Sequence, residues 1–548
     1  MISSLIISVV LICAGTYCYI QFRNCNCQFT GRGKLLAATF EIEPRFLITN
    51  TNQIFLSGHD NGNYSIYSYA RSKNILLSAR DSDIFFPFLF KKELCGLIDH
   101  NGNEQFTTTN YKLNKILGYR SIKELFSVKN GELLFIKLKA DKKLYAVDAN
   151  FGTMHPVLDS VDHLESVLYK EDVNSIIVNH DHKLQLINLS NLERQPQDLI
   201  AESNSDNDGK FNPFLVGDDL YFASNKHSDF YEIFKINLRD TSHKISLIYR
   251  GIGDVRLPKV KNNKLYFIEI NNGEYLLKNY DLKTKLVTSI TSHGVVYFYE
   301  FYKSNSIVFS YADFHTPKSL LLFNELNCKT QNLTGMQLSS QLSIQPIKPV
   351  SDLSAAYILK VPLEKYKGVI LFFRPGLHGD FSPRWEPILM NLVDMGYIII
   401  APNYPMSSGY GKAFYSKPMV NGLKDISKWK AYIKLNYPNM KLYYLSSSSG
   451  NLLMENTLAV DYKDIAATCS IFGVPAFDSP DPKVPSLYLL GKNDPIINFK
   501  SRFRNLQIAR NDNDNIVVQT YNDEGHWLRK NKNMENCSKV IAGYFCEH

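Results

Sequence analysis

Strand-like runs recur along most of this chain at a nearly constant step, and that regularity limits its possible folds more than any other feature. They begin near Gln53, Glu93, Glu132, Ser175, Asp219, Lys264 and Ser306, so successive starts lie 39 to 45 residues apart. In each unit an apolar run leads through a polar turn to a second aromatic or β-branched run, then to a polar link. The clearest copies are Asp219-Leu220-Tyr221-Phe222 ahead of the run from Tyr231 to Leu238, and Lys264-Leu265-Tyr266-Phe267 ahead of the run from Tyr275 to Leu282. Phe86-Pro87-Phe88, Phe211-Asn212-Pro213-Phe214 and Arg256-Leu257-Pro258-Lys259 add a recurrent proline, which is tolerated at the start of an edge or inner strand because its missing N–H need not join the ladder there. Four strands in about 40 to 45 residues is the length of one propeller blade, and seven such units close a ring. The spacing therefore predicts a seven-bladed β-propeller over residues 35–345. A β-sandwich pair or two separate β domains would not require a constant step.

An aromatic load of 33 Tyr and 33 Phe against 3 Trp suits many short strands. With 45% apolar and 21% charged residues, the chain is neither a disordered tail, nor a collagen-like repeat, nor a polytopic membrane protein. The net charge of +8 is spread over 548 residues without a block of five Lys or Arg, so no nucleic-acid partner is indicated. No charged side chain occurs from Met1 to Phe22, and the segment from Ile2 to Ile20 is about long enough to cross a bilayer as a helix. Residues 1–22 are read as a single-pass membrane anchor, with a cleaved signal segment of a secreted or periplasmic protein as the alternative. The side of the membrane stays open. None of the nine cysteines lies in a zinc-site pattern, so neither a metal nor another cofactor is expected. Cys25 with Cys27, or Cys537 with Cys546, would be able to bridge if the body is exported, while buried free thiols account for the scattered cysteines equally well, so the redox compartment stays open.

Beyond residue 346 the pattern changes to buried-strand runs separated by helix-length amphipathic stretches, which predicts an α/β domain over 346–548 with a parallel sheet. Strands are expected at Gly368 to Phe373, Tyr397 to Ala401, Leu442 to Leu445, Ala467 to Phe472, Ser486 to Leu490 and Ile516 to Tyr521. Trp385 to Met395 and Lys424 to Leu435 read as helices. Three places past these strands carry chemistry. Ser446-Ser447-Ser448-Ser449-Gly450 lies between a strand and the helical stretch from Leu452 to Leu458, as a nucleophile elbow requires, with Ser448 at its centre. Asp494 follows one later strand in Gly491-Lys492-Asn493-Asp494-Pro495, and His526 follows another in Asp523-Glu524-Gly525-His526. Each alone is an ordinary loop residue. Their order, Ser then Asp then His at successive strand ends, is that of an α/β-hydrolase triad.

On these residues the chain resembles the prolyl oligopeptidase family of serine peptidases, its acylaminoacyl-peptidase and dipeptidyl-peptidase branches most. Asn403-Tyr404-Pro405-Met406-Ser407-Ser408-Gly409-Tyr410-Gly411-Lys412-Ala413-Phe414 is similar to the family's Asn-Tyr-Arg-Gly-Ser-x-Gly-Tyr-Gly-x-x-Phe segment, and Asp523 to His526 matches its catalytic histidine. The resemblance implies Ser448 as nucleophile, Asp494 as orienting acid and His526 as base. It also implies an oxyanion site of the Tyr410 hydroxyl and the Ser449 amide, with short peptides as substrates and a propeller that restricts access. Departures are Arg374-Pro375-Gly376-Leu377 in place of His-Gly-Gly-Pro, Pro405-Met406 in place of Arg-Gly, Ser446 in place of the first elbow glycine, and Asn451 in place of a later one. The 46 positions from Ser448 to Asp494 are also fewer than usual, which predicts a missing helical excursion. Rival readings are an esterase-like serine hydrolase, or an inactive membrane-tethered propeller that binds a partner. The sequence does not set the cleavage specificity or the oligomeric state.

Overall fold

The structure, a computed structural model, describes residues 41–548 apart from 50, 60–62, 70–72, 79–81, 101–105, 129–130, 202–210, 241, 335–341, 348–352 and 479–481. The expected anchor at residues 1–22 lies outside the described residues. Among the described residues no helix is long and apolar enough to cross a membrane.

Seven groups of antiparallel strands follow one another from Glu41 to Asn332. Among the described residues six have four strands; the second, Ser82–Phe90 with Glu93–His100 and Thr107–Thr108, has three. The sixth and seventh groups meet through one parallel bridge, Tyr275 to Val295. The second strands start at Ile54, Glu93, Leu133, Ser175, Asp219, Lys264 and Ser306, so the repeat in the sequence marks the same strand of every blade. The ring closes by side-chain packing. Phe46, Ile54, Leu56 and Tyr67 of the first blade share a core with Val308 and Leu320 of the seventh. Pro213 stands just ahead of the strand Phe214–Val216, while Pro87 and Pro258 mark kinks within strands. Phe86 and Leu257, each just before a proline, have φ of 49° and 50°, and the strand register shifts there. Such a bulge accepts a residue without an N–H and bends the strand around the axis.

The second domain is one eight-stranded sheet: β1 (Ser343–Ile347), β2 (Ala356–Lys360), β3 (Gly368–Phe373), β4 (Tyr397–Pro402), β5 (Leu442–Ser447), β6 (Ile465–Ile471), β7 (Ser486–Gly491) and β8 (Ile516–Tyr521). The strand order is β1-β2-β4-β3-β5-β6-β7-β8, parallel from β4 to β8 and antiparallel at the β1 and β2 edge. Because β1 starts at Ser343 and belongs to this sheet, the sheet begins slightly before the boundary expected at 346.

Among the described residues six helices accompany the sheet: α1 (Pro387–Asp394), α2 (Lys412–Tyr415), α3 (Met419–Asn436), α4 (Gly450–Val460), α5 (Phe499–Asp512) and α6 (Asn531–Glu547). Helix α1 starts two residues later than Trp385 because Pro387 takes its first turn, where the missing N–H costs nothing. Strand residues alternate between two cores. Ile370 and Phe372 pack with Leu389 of α1 and Ile541 and Phe545 of α6, while Val369, Leu371 and Phe373 pack with Trp429 of α3 and Leu453 of α4. The strands are thus buried on both faces, which is why they read as unbroken apolar runs.

Candidate active site

Strand β5 ends at Ser447 and α4 begins at Gly450, leaving a two-residue turn in which Ser448 takes a left-handed φ of 49°. A non-glycine residue there stores about 1–3 kcal/mol of strain and persists only where its surroundings hold it. The neighbouring strand does so. The Ser448 amide donates to Ile471 O at 3.0 Å, and its carbonyl accepts from Val474 N at 2.9 Å and Asn451 N at 3.1 Å. Gly450 is required by contact, because a Cβ there would lie 2.3 Å from Phe373 O and 2.4 Å from Arg374 O.

The two departures in the elbow answer each other. Ser446 is buried, and its hydroxyl donates to Asn451 Oδ1 at 3.1 Å, while Asn451 Nδ2 donates to Val474 O at 2.9 Å. Both side chains therefore satisfy their polar atoms inside the turn, as buried groups must. The added bulk of Asn451 is matched at Gly473, where a Cβ would come within 2.7 Å of the Asn451 side chain.

His526 is buried, with Nε2 2.7 Å from Ser448 Oγ and Nδ1 2.8 Å from Asp494 Oδ2. An ionised carboxylate only accepts, so the Nδ1 proton faces Asp494 and Nε2 is left to accept from the serine hydroxyl. Asp494 is aimed by its own turn, its Oδ1 accepting from the Ile496 and Ile497 amides at 2.8 Å each. Ser448 stands after β5, Asp494 after β7 and His526 after β8, so three strand ends bring together residues far apart in sequence.

Several residues that the sequence did not single out hold the histidine loop. The Glu524 carboxylate accepts from Arg529 N at 3.0 Å, Lys530 N at 3.1 Å and Asn533 Nδ2 at 2.7 Å, and burial pushes its carboxyl up. Burial also pushes the neighbouring Asp523 up, but hydrogen bonds from Lys530, Asn533 and Lys532 outweigh it and hold that carboxyl down at about 2. Arg529 reaches the ring, where Nη1 donates to Asp99 Oδ2 at 3.0 Å and Asp83 Oδ2 at 3.2 Å.

Of the two oxyanion candidates, the Ser449 amide at the start of α4 has no acceptor among the described residues. Tyr410 has no contact with Ser448 or His526 among the described hydrogen bonds and ring contacts. Its oxygen accepts from Asn403 Nδ2 at 2.8 Å, which leaves its own hydrogen without a described acceptor, and burial pushes the phenol well up, keeping it a donor. Arg374 is fully buried. Its guanidinium donates to the carbonyls of Gly376 and Leu377 and to Ser407 Oγ, and lies 4.3 Å over the Tyr404 ring, so it ties the loop after β3 to the Tyr410 segment. Between β6 and β7, residues 472–485 carry no helix among those described.

The cysteines depart from one expectation. Cys537 is a free buried thiol on α6, whereas Cys546 is disulfide-bonded, so the two do not bridge each other. Among the described residues no cluster of His, Cys, Asp and Glu is arranged to hold a metal ion.

No family model and no curated protein matches the sequence. Solved structures match in three dimensions. A Mycobacterium tuberculosis puromycin-hydrolyzing peptidase superposes with a TM-score of 0.72 over 92% of this chain and 94% of its own, at 12% identity. Oligopeptidase B from Leishmania major gives 0.71 over 93% and 87%, at 10% identity. An acylaminoacyl peptidase from Pyrococcus horikoshii gives 0.66 over 92% and 95%, at 13% identity. In fold, a propeller with a hydrolase domain, this chain resembles the prolyl oligopeptidase family over nearly its whole length.

Proposed function

We propose that this chain, with its prolyl oligopeptidase fold, is a serine peptidase that hydrolyses short peptides through Ser448, His526 and Asp494. The reading rests on one observation, the unbroken relay of 2.7 and 2.8 Å from the serine hydroxyl through the imidazole to a carboxylate that is itself oriented by two amides. In this mechanism Ser448 Oγ attacks the scissile carbonyl carbon while His526 Nε2 takes its proton, and Asp494 stabilises the imidazolium. The oxyanion is received by the Ser449 amide and the Tyr410 hydroxyl, each donor worth about 10²–10³ in rate. His526 then protonates the leaving amine, and a water activated by the same ring releases the acyl group from Ser448.

The catalytic unit is the α/β domain whose sheet begins at Ser343, and the seven-bladed ring ahead of it admits short unfolded peptides while excluding folded proteins. An inactive relic is disfavoured because the relay keeps both of its hydrogen bonds, Ser448 Oγ with His526 Nε2 and His526 Nδ1 with Asp494 Oδ2. The titrating experiment is labelling with a fluorophosphonate probe. Unsubstituted protein labels at Ser448 and Ser448→Ala neither labels nor hydrolyses; a labelled peptide containing Ser447 or Ser449 as the modified residue would overturn the assignment. Comparing peptidyl amides with short-chain esters separates the peptidase from an esterase using the same residues.

A further inference from the structure

The ring carries a hollow that bears on which peptides the proposed enzyme would take, and a role for it in substrate choice rests on the peptidase reading. Antiparallel pairing puts the start of each inner strand and the turn between second and third strands at the same end of every blade. In blades 2, 5 and 6 that end meets the hydrolase domain. Asp83 and Asp99 hold Arg529, Asp229 O and Oδ1 accept from the Lys412 and Ala413 amides at 2.7 Å each, and Asn272 O accepts from the Tyr357 hydroxyl at 3.1 Å. The same end of blade 3, beside the approach to blade 4, is a cavity of about 600 Å³ whose lining residues all belong to the ring.

Its charges are unevenly matched. Asp162 is paired with Lys142 at 2.8 Å, and Asp141 accepts from the Tyr145 hydroxyl at 2.9 Å. Lys123 and Lys137 instead point their ammonium groups at neutral carbonyls, those of Asp162 at 2.9 Å and Asp141 at 2.8 Å. Lys137 is almost fully buried, at 3% exposure. Lys123 also forms an ion pair with Glu124, at 3.8 Å from its Oε1, and the Oε2 of Glu124 is buried without a hydrogen-bond partner among the described residues.

We propose that this hollow binds a carboxylate of a peptide, held by the Lys123 and Lys137 ammonium groups with Glu124 beside them. Burial pushes Glu124 up to about 7, Glu165 on the inner strand of blade 4 pushes the same way, and Lys123 and Lys137 pull it down. In its acid form Glu124 therefore donates from Oε2 to a ligand oxygen, and ionised it repels the ligand. The hollow opens at the end of the ring that faces the hydrolase, so a peptide bound there is one bound on the substrate side.

The test uses full-length Ser448→Ala protein, which keeps peptides intact, and fluorescence anisotropy of a labelled hexapeptide containing two Glu residues against its Gln counterpart. At pH 6.5 the acidic peptide binds at least tenfold more tightly. Lys123→Gln, an exposed change that leaves the fold alone, and Lys137→Met each remove most of that preference and leave binding of the Gln peptide unchanged. Weakening at pH 8.5 supports the role of Glu124. Loss of affinity on Glu→Gln in the peptide that amidation of its end does not reproduce identifies side-chain carboxylates as the ligand. Charge-blind binding, insensitivity to both Lys substitutions, or displacement of the peptide by inorganic phosphate at equal affinity would overturn the proposal. Hydrolysis of the Gln peptide by unsubstituted protein reads the peptidase assignment separately, so either can fail alone.

Discussion

Replacing Arg529 by Met removes a cation that joins the histidine loop to the ring while keeping most of its apolar stem. The guanidinium bonds two carboxylates, Asp99 fully buried and Asp83 at 14% side-chain exposure, and its own side chain is 23% exposed. Breaking a buried ion pair by deleting one partner costs about 3–5 kcal/mol, because the surviving charge is left desolvated. Here two like charges survive, but Asp83 keeps a hydrogen bond from Tyr64 N at 2.8 Å and some contact with water. The lower end, about 3 kcal/mol, is therefore expected, with about 0.5–1 kcal/mol of it from the loss of the cation resting 5.0 Å over the Phe85 ring.

A two-domain chain does not unfold in one step, so the quantity to read is the midpoint of the first urea transition. Arg529→Met shifts it to lower urea, and adding Asp99→Asn recovers much of the loss because the buried side chain that lost the guanidinium then carries no charge. Activity falls as well, since His526 lies between Glu524 and Arg529 and a 1 Å displacement of a reacting group costs about 10²-fold. A first transition unmoved within about 0.5 kcal/mol, or an Asp99→Asn change that adds to the damage, would show that the clamp does not couple the two domains.

Tyr410→Phe is expected to lower kcat by about 10²–10³ with little change in KM, measured in steady-state peptide hydrolysis; an unchanged kcat would remove Tyr410 from the oxyanion site. Glu124 supplies a pH test. Its folded carboxyl, pushed up to about 7 chiefly by burial, keeps a proton that an unfolded chain gives up near pH 4.3, so stability falls as pH rises between those values. The full shift corresponds to roughly 3.5 kcal/mol, which partial exposure reduces to about 1–2 kcal/mol. Glu124→Gln abolishes this slope, leaving the variant the more stable at pH 8 and level with the parent near pH 4.5; parallel stability profiles of the two proteins would contradict it.

The ring and the sheet were readable from sequence because both are periodic in consecutive residues. Blade spacing appeared as the recurring second strand, and β3 through β7 appeared as apolar runs because they are buried on both faces, while the edge strand β8 is only partly buried. Ser448, Asp494 and His526 could be found because each follows such a run, in a set order. The limits were equally specific. The Ser446 and Asn451 departures looked like degeneration of the elbow, and only packing against Gly473 and Val474 reveals a satisfied buried pair. Pro213 stands at a strand start as its position suggested, whereas Pro87 and Pro258 sit at bulges inside strands, which bend them around an axis.

Local order along the chain thus determined the two architectures and named the three residues of the relay. Tertiary structure alone decided how the relay is held. Arg529 meets Asp83 and Asp99 across separations of 446 and 430 residues, and Asp229 meets the start of α2 across 184. No sequence period spans such distances. These contacts exist because a closed ring docks on loops at one end of the sheet, such as those after β4 and β8, and that docking depends on the joint shape of two folded bodies rather than on any stretch of neighbouring residues.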